Sequence, residues 1–283
     1  MKISAIAFFC RPSVRHRKNQ SGLTLVEIMV SMTMGLIVLL AVGSVYLGSR
    51  QTYRTQEDNA RLQEAGRYAL EIIGRTVRQA GASAEMNFNN VSMPLKCEVT
   101  GVCTPIAGTN GAGSASDTLV VQSYAGREEL SGGVWVSRDC TGGAVAANAV
   151  MSSTFELNTT NLRCTGGVGG VQPLIGDVED LQVVYGVDVD PQGTPGYQSV
   201  DRYVAAPTAA EWPQVITARV CVQIRSPNNG VVNEPQRFLN CAGALGVVAA
   251  TQAAGGLTDA ADRRLHRSFV ATYNLRNRVT AAP

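Results

Sequence analysis

The longest apolar stretch of the chain runs from residue 28 to residue 49, IMVSMTMGLIVLLAVGSVYLGS, without a charged side chain. At about 1.5 Å per residue, a helix of this length spans roughly 30 Å, the thickness of the hydrocarbon core of a bilayer. The flank before it, RPSVRHRKNQ, is strongly basic, whereas both signs of charge follow it. The positive-inside rule therefore predicts a cytoplasmic N-terminus and places residues 50–283 across the membrane.

Beyond this segment the pattern becomes periodic. Apolar residues recur every three or four positions between charged ones, at Leu62, Ala65, Ala69, Ile72, Ile73, Val77 and Ala80. The periodicity predicts that the helix continues to about Ala80, where Gly81 ends it. Gly66 and Gly74 interrupt this part of the helix, either as tolerated defects or because the helix packs closely on a sheet.

The rest of the chain predicts strands joined by loops. Residues 81–117 are rich in Gly, Ala, Ser and Asn, which is typical of an extended surface loop. Strand character follows at Thr118–Ala125, Val134–Arg138, Thr154–Leu157, Leu181–Val189, Ile216–Arg225 and Ser268–Leu275. The alternation in VITARVCVQIRS and SFVATYNLRN predicts antiparallel sheets with one covered face, and therefore an α+β fold.

Charge and motifs exclude several function classes. The 283 residues carry a net charge of +2, but residues 1–22 hold five basic side chains and no acid, which leaves −3 for the remainder. A mildly acidic body argues against nucleic acid as a partner. The chain contains no G-x-S-x-G, Walker A, H-E-x-x-H or dinucleotide fingerprint, so we expect no cofactor. With only His16 and His266, no site that needs two histidines near each other in sequence is expected.

Cysteine usage indicates an oxidising compartment. Cys10 precedes the apolar segment, and six cysteines follow it, at Cys97, Cys103, Cys140, Cys164, Cys221 and Cys241. Six cysteines allow 15 pairings, among which the sequence cannot choose, and pairing of nearest neighbours is our working hypothesis. A zinc site is the alternative, but no C-x-x-C spacing occurs to support it.

Two further segments offer weaker signals. Asp188 and Asp190 in VDVDPQG, with Asp177, Glu179 and Asp180 nearby, are candidate oxygen ligands for calcium. Their spacing matches no EF-hand, so solvated turn carboxylates are the favoured interpretation. The glycines in CTGGVGG lack the strand-to-helix context of a phosphate-binding loop and indicate a flexible loop instead.

A single acid stands at the start of the apolar segment. Glu27 closes the run LTLVE, which follows QSG. A carboxylate at the bilayer centre costs up to about 2.5–3.5 kcal/mol, so Glu27 is either hydrated at the interface or paired with a partner. A cleaved secretory signal is disfavoured because the run from Ile28 is long for a signal core and Ile3–Cys10 is too short.

The stretch Gly22-Leu23-Thr24-Leu25-Val26-Glu27 with the following apolar helix resembles the class III signal of type IV pilins and type II secretion pseudopilins. The resemblance implies that a prepilin peptidase cleaves between Gly22 and Leu23 and N-methylates Leu23, where the family usually has Phe. Glu27 would then be the fifth mature residue, on the same helical face as the new α-ammonium. In a filament it would neutralise the amine of a neighbouring subunit. Translation from Val14 instead of Met1 would give a shorter basic leader.

The resemblance extends to the PilW family of minor pilins, through NARLQEAGRYALEIIGRTVRQAGA at 59–82 and RRLHRSFVATYNLRNR at 263–278. It implies a type IV pilin-like fold, a long helix packed on an antiparallel headgroup. The implied segments are a cleaved leader (1–22), a transmembrane helix (23–49), its amphipathic continuation (50–81) and a disulfide-bonded periplasmic headgroup (82–283).

The implied function is that of a non-enzymatic minor pilin that primes pilus assembly at or near the tip. The protein would be anchored in the inner membrane and then incorporated into the surface pilus. The implied partners are prepilin peptidase, PilV-, PilX-, PilE- and FimU-like minor pilins, the major pilin and a PilY-type tip adhesin. Two alternatives remain, a GspJ-like minor pseudopilin of type II secretion and a membrane-tethered periplasmic enzyme or receptor.

Overall fold

A computed structural model of the protein describes residues 22–82, 104–112, 115–246 and 257–278. The chain divides between Arg50 and Gln51 into two compact units. One helix, α1 (Leu25–Gln79), contributes residues to both units. In the first unit the described chain consists of three residues and the apolar part of α1, and its side chains are exposed almost without exception.

Helix α1 ends where the sequence predicts. Gly81 adopts a left-handed conformation with φ of 70°, which a glycine accommodates without strain. Its N–H donates to the carbonyl of Gln122 at 2.9 Å, which fixes the direction of the chain as it leaves the helix. The predicted helix from Leu23 to Ala80 is therefore confirmed except for the outermost residues at each end.

The described part of the second unit contains fourteen strands and one further short helix. The strands are β1 (Ile106–Thr109), β2 (Thr118–Tyr124), β3 (Glu129–Ser131), β4 (Val134–Arg138), β5 (Ala144–Ala146), β6 (Val150–Asn158), β7 (Asn161–Gly166), β8 (Gly170–Ile175), β9 (Val178–Val187), β10 (Arg202–Val204), β11 (Val215–Arg225), β12 (Arg237–Leu239), β13 (Leu257–Asp259) and β14 (His266–Asn274). The helix is α2 (Cys241–Leu245), and 3₁₀ turns occur at Trp212–Gln214 and Arg276–Arg278.

Every strand pair is antiparallel, as the alternation predicts. A five-stranded sheet has the order β1-β2-β6-β7-β8, and a four-stranded sheet has the order β10-β9-β11-β14. Smaller sheets are formed by β3-β4-β5 and by β12-β13. The two larger sheets and the second half of α1 share one hydrophobic core, which includes Ile73, Phe155, Leu162, Leu181 and Val220.

The two helix glycines are sites of close packing against β14. A Cβ atom built on Gly66 would overlap the ring of Phe269, and one built on Gly74 would overlap the ring of Tyr273. The Tyr273 hydroxyl donates to the carbonyl of Leu70 at 2.6 Å, so the ring is held over the helix. Of the two explanations that the sequence allows, close approach of helix and sheet is therefore the correct one.

The central strands differ from the expectation of one covered face. In β9 and β11 buried residues occupy consecutive positions rather than alternate ones. One face lies in the main core, and the other is covered by α2, where Val184 and Cys221 pack with Cys241 and Leu245. A covered second face removes the need for polar residues there, which explains the near-continuous apolar runs.

The segment predicted as an extended surface loop is also partly ordered into the sheet. Within residues 104–112, strand β1 pairs with β2, with Ile106 opposite Val121. Ile106 is 1% exposed and belongs to the main core. The loop prediction is therefore wrong for this stretch, where the buried residues Pro105 and Ile106 anchor a chain of otherwise small residues.

Substitution of Gly74 by Ala tests the close packing of α1 on β14. The added methyl group must displace the Tyr273 ring, so we expect the free energy of unfolding to fall by roughly 1–3 kcal/mol despite the better helix propensity of Ala. Gln63→Ala, at an exposed position of the same helix, is the control and should change it by less than about 0.5 kcal/mol. Urea unfolding of the full chain in detergent, followed by tryptophan fluorescence, measures both. Equal stability of the two variants would contradict the packing argument.

Candidate functional sites in the N-terminal segment and the headgroup

The residues around the predicted cleavage point lie just before α1. Gly22, Leu23 and Thr24 are exposed and precede the first helical residue. A Cβ atom built on Gly22 would meet no other atom within 4 Å. The described fold thus imposes no steric requirement for glycine at this position, and the bond after it is sterically accessible.

Thr24 caps the helix, a feature that the sequence analysis missed. Its Oγ1 accepts the N–H of Glu27 at 3.3 Å, and its carbonyl accepts the N–H of Ile28 at 3.2 Å. Thr24 and Glu27 have the S/T-x-x-E spacing of a capping box, which would have been a recognisable signal. Glu27 consequently lies in the first turn, where the helix dipole favours a negative charge.

The segment after Glu27 is long and apolar enough to cross a membrane. Within the described residues, α1 is the one helix that meets this criterion of length and composition. No residue of its most apolar 18-residue stretch is buried in the described chain. These large hydrophobic side chains, including Leu36, Leu39 and Leu40 at more than 60% exposure, therefore need a covering environment that the described residues do not supply.

Two disulfides join elements of the headgroup. Cys140, in the connection between β4 and β5, pairs with Cys164 on β7, and Cys221 on β11 pairs with Cys241 on α2. The Cα–Cα separations are 6.2 and 5.6 Å, within the usual range. These pairs agree with nearest-neighbour pairing, whereas Cys97 and Cys103 lie outside the described residues.

The CTGGVGG segment is a packed hairpin turn rather than a flexible loop. It forms the end of β7 and the turn into β8, against the side chain of Asp139. The N–H groups of Val168 and Gly169 each lie 3.4 Å from Asp139 Oδ2, and Cβ atoms built on Gly166 and Gly169 would overlap Asp139 and Thr141, respectively. The glycines therefore allow close approach to a buried carboxylate.

The structure separates the five acids that the sequence groups around the calcium candidates. Asp188 and Asp190 remain together and are joined by Asp201, with one carboxylate oxygen from each lying within 4.8 Å of the others. The sequence analysis missed Asp201, which the loop 188–201 brings back to the end of β9. Glu179 and Asp180 instead contact His266 and Ser116, respectively, and belong to other parts of the fold.

Backbone groups hold the carboxylates of this acidic loop. Asp188 accepts the N–H groups of Asp190 at 3.0 Å and Gln198 at 2.7 Å. Asp201 accepts the N–H of Val189 at 2.7 Å. Asp188 is buried, Asp190 is half-buried and Asp201 is exposed. The arrangement leaves carboxylate lone pairs available to oxygen-preferring cations.

His266 is held between two carboxylates. Its Nδ1 lies 2.7 Å from Glu179 Oε2, its Nε2 lies 2.9 Å from Asp262 Oδ1, and its side chain is 5% exposed. The ring stacks on Phe238 with centroids 4.7 Å apart. Burial disfavours the imidazolium, but the hydrogen bonds and charges of Glu179 and Asp262 outweigh it and raise the pKa of His266 above its ordinary value.

The chain matches two families of known proteins. Residues 17–43 match the prokaryotic N-terminal methylation motif. This motif gives the class of the N-terminal segment, that of proteins with an N-terminal methylation signal. Residues 140–277 match the family described as Type IV Pilus-assembly protein W. The pilus-assembly match covers just under half of the chain, and together with the methylation motif it supports a type IV pilin of the PilW family.

The solved structures that resemble the chain include a type IV-like pilin from Thermus thermophilus. It is 17% identical, and the match covers 78% of this chain and 98% of that chain with a TM-score of 0.44. A likeness of this size carries no argument about fold or function. No curated protein matches the sequence with significance.

The raised pKa of His266 predicts a pH-dependent stability. Because the folded state binds the proton more tightly than the unfolded chain, this stabilisation is complete below the ordinary pKa of about 6.5 and is lost as the pH rises through the raised folded value. We expect the free energy of unfolding of the wild type, relative to His266→Gln, to fall over this window. The difference below it should be on the order of 2 kcal/mol, the scale of hydrogen bonds to charged groups. Urea titrations from pH 5 to 9 measure it, and parallel pH profiles would contradict the assignment.

Proposed function

We propose that the protein is a non-catalytic minor pilin that prepilin peptidase cleaves between Gly22 and Leu23 and that helps to prime type IV pilus assembly. The observation that carries the proposal is the charge-free helical segment 28–49, which begins within the methylation motif and has no covering partner in the described chain. The match to the PilW family supports the same role. The only histidine in the described residues, His266, is occupied between carboxylates, which agrees with a structural protein.

The exposed helix needs two environments in succession. Each Å² of apolar surface left in water costs about 25 cal/mol, so a segment of this length is unstable unless it is covered. Lipid covers it while the protein is anchored in the inner membrane, and the helices of other subunits cover it after assembly. A minor pilin uses the same surface for both states.

Glu27 is proposed to guide assembly. Cleavage before Leu23 creates an α-ammonium group, and Glu27 follows Leu23 by four residues, in the first turn of α1. Where helices bundle in a medium of low dielectric constant, this carboxylate pairs with the α-ammonium of a neighbouring subunit. A buried pair of this kind specifies register more reliably than it adds stability, because an unpaired charge is strongly disfavoured.

The proposed topology places the N-terminus in the cytoplasm and the headgroup in the periplasm. The basic segment before α1 supports this orientation. The two headgroup disulfides also support it, because such bonds persist in oxidising compartments. The partners we propose are prepilin peptidase, other minor pilins, the major pilin and a PilY-type adhesin, at or near the pilus tip.

The variants Glu27→Gln and Glu27→Ala test the role of the charge. Glu27 also occupies the last position of a capping-box spacing with Thr24, and Gln at this position of the motif keeps a side-chain acceptor while removing the charge. We expect both variants to be inserted and processed, and both to lose surface pili by at least tenfold, because each leaves the neighbouring ammonium unpaired. Counts of surface pili in a deletion strain that expresses each variant provide the measurement.

Glu57→Ala is the matched control, since Glu57 is an exposed acid of the same helix that pairs with Arg61. It should support normal piliation. If Glu27→Gln restored pili and Glu27→Ala did not, the side chain at position 27 would be needed for its hydrogen bond and not for its charge. Loss of secretion-dependent phenotypes with unchanged pili in the deletion strain would favour a pseudopilin of type II secretion instead.

Gly22→Val tests the cleavage site. A branched side chain at this accessible position should prevent cleavage, leave the basic leader attached and abolish assembly. Leu23→Phe is the control, because it introduces the usual residue of the family and should be processed normally. Mass spectrometry of the N-terminus distinguishes the outcomes. A mature N-terminus at residue 23 in Gly22→Val would disprove the proposed processing.

A further inference from the structure

Residues 226–233, which follow β11, form a loop that lies against α1. The side-chain amide of Asn228 donates to the Asp58 carboxylate of the helix at 3.3 Å. The hydroxyl of Thr55, one turn earlier on the helix, donates to the carbonyl of Val231 at 3.2 Å. Asp58 is 2% exposed, and a buried carboxylate is costly without a partner. The contact with Asn228 therefore matters for the position of the loop on the helix.

A second segment, residues 262–265 directly before β14, is hydrogen-bonded to this loop. The N–H of Gly230 donates to the carbonyl of Arg263 at 3.1 Å. The Arg264 guanidinium donates through Nη1 to the carbonyl of Ser226 at 2.8 Å. The loop 226–233 is thus held between the helix and the segment 262–265, and its position depends on how that segment is fixed.

His266, the first residue of β14, fixes the segment 262–265 to the four-stranded sheet. Its Nε2 lies 2.9 Å from Asp262 Oδ1, and its Nδ1 lies 2.7 Å from Oε2 of Glu179 on β9. Asp262 also pairs with Arg264, whose Nε lies 3.2 Å from Asp262 Oδ2. Arg264 is the residue that reaches the loop 226–233. Consecutive polar contacts therefore join the imidazole ring to the loop.

The charged groups that face or adjoin the ring come from β9, β11 and the segment 262–265, and they are Glu179, Arg225, Asp262 and Arg264. Each arginine pairs with one of the two acids, and β12 contacts the ring through Phe238. Burial of the ring disfavours the imidazolium, but the two acids outweigh burial and raise the pKa of His266 above its ordinary value.

Loss of the proton leaves the imidazole with one N–H for two carboxylates. The nitrogen without a proton then presents its lone pair to an anionic oxygen, and this contact becomes repulsive. Glu179 lies on a central strand and also accepts the Gln223 amide at 2.8 Å, so it cannot withdraw from the ring. Asp262 belongs to an irregular segment at the surface and can turn to water. Deprotonation therefore weakens the contact between the ring and Asp262.

We propose that protonated His266 is a latch that holds the loop 226–233 on α1 and that its deprotonation favours release of the loop. The latch is closed below the ordinary histidine pKa of about 6.5 and weakens as the pH rises through the raised folded value. Val231 and Leu265 bury apolar surface in the core, so the released form is a minor population. The inference concerns the headgroup alone and is independent of processing and pilus assembly.

Amide hydrogen exchange of the full chain in detergent, followed by mass spectrometry from pH 5 to 9, tests the latch. Each rate is divided by the intrinsic rate at the same pH, which gives a protection factor. We expect protection of the amides in 226–233 to fall by roughly fivefold or more as the pH rises through the window. At every pH these amides should be less protected than those of β6 and β7, because they exchange through local opening.

Three variants assign the effect to the latch. His266→Gln removes the titrating group, so protection of the loop should be low and independent of pH. Asp262→Asn keeps an oxygen for the Arg264 N–H but removes one charge beside the ring, and should move the fall in protection to lower pH. Asp259→Asn removes an exposed acid of β13 that pairs with Arg237, and this matched control should behave as the wild type does.

Four outcomes would each overturn the proposal. They are loop protection that does not vary with pH in the wild type, loop protection equal to that of β6 and β7, a fall that persists unchanged in His266→Gln, and a fall at the wild-type pH in Asp262→Asn. The wild-type profile and Asp262→Asn decide the question even if His266→Gln fails to fold.

Discussion

The close packing of the second half of α1 on β14 is the interaction on which the headgroup depends. At Gly66 and Gly74 the helix has no side chain, so the rings of Phe269 and Tyr273 lie directly on its backbone. The Tyr273 hydroxyl completes this contact by donating to the carbonyl of Leu70. Because β14 also pairs along its length with β11, the helix is attached to the central sheet and, through the shared core, to the five-stranded sheet.

Long elements with a strong pattern could be predicted from the sequence. The helix and the six predicted strands are all found, because a hydrophobic period extending over many residues identifies an element almost independently of its surroundings. Most of the strands that were not predicted, such as β1, β5 and β10, are only three or four residues long, whereas β7 and β8 have six residues each. A stretch of three or four residues holds too few positions for a period to be recognised. The second covered face of β9 and β11 depends on α2, which lies further along the chain, so no local pattern records it.

The candidate sites show a similar division. Gly22, Leu23 and Glu27 lie within one short motif, so their roles could be proposed from the sequence alone and remain predictions. Asp201 could not be added to Asp188 and Asp190, because only the folded loop brings it back to them. The cap formed by Thr24 was missed although its spacing was visible, since the resemblance to a pilin signal already offered one explanation for Glu27.

The contact between Tyr273 and Leu70 spans 203 positions of the chain. During synthesis, the amphipathic half of the helix emerges early, but the strand that covers it is among the last segments to be made. Until synthesis is almost complete, the face of the helix at Gly66 and Gly74 lacks its native cover and presents apolar surface to other proteins. A chain that stops before β14 would lack the edge of the four-stranded sheet as well as this cover. Proteases and chaperones can thus distinguish an unfinished chain from a complete one.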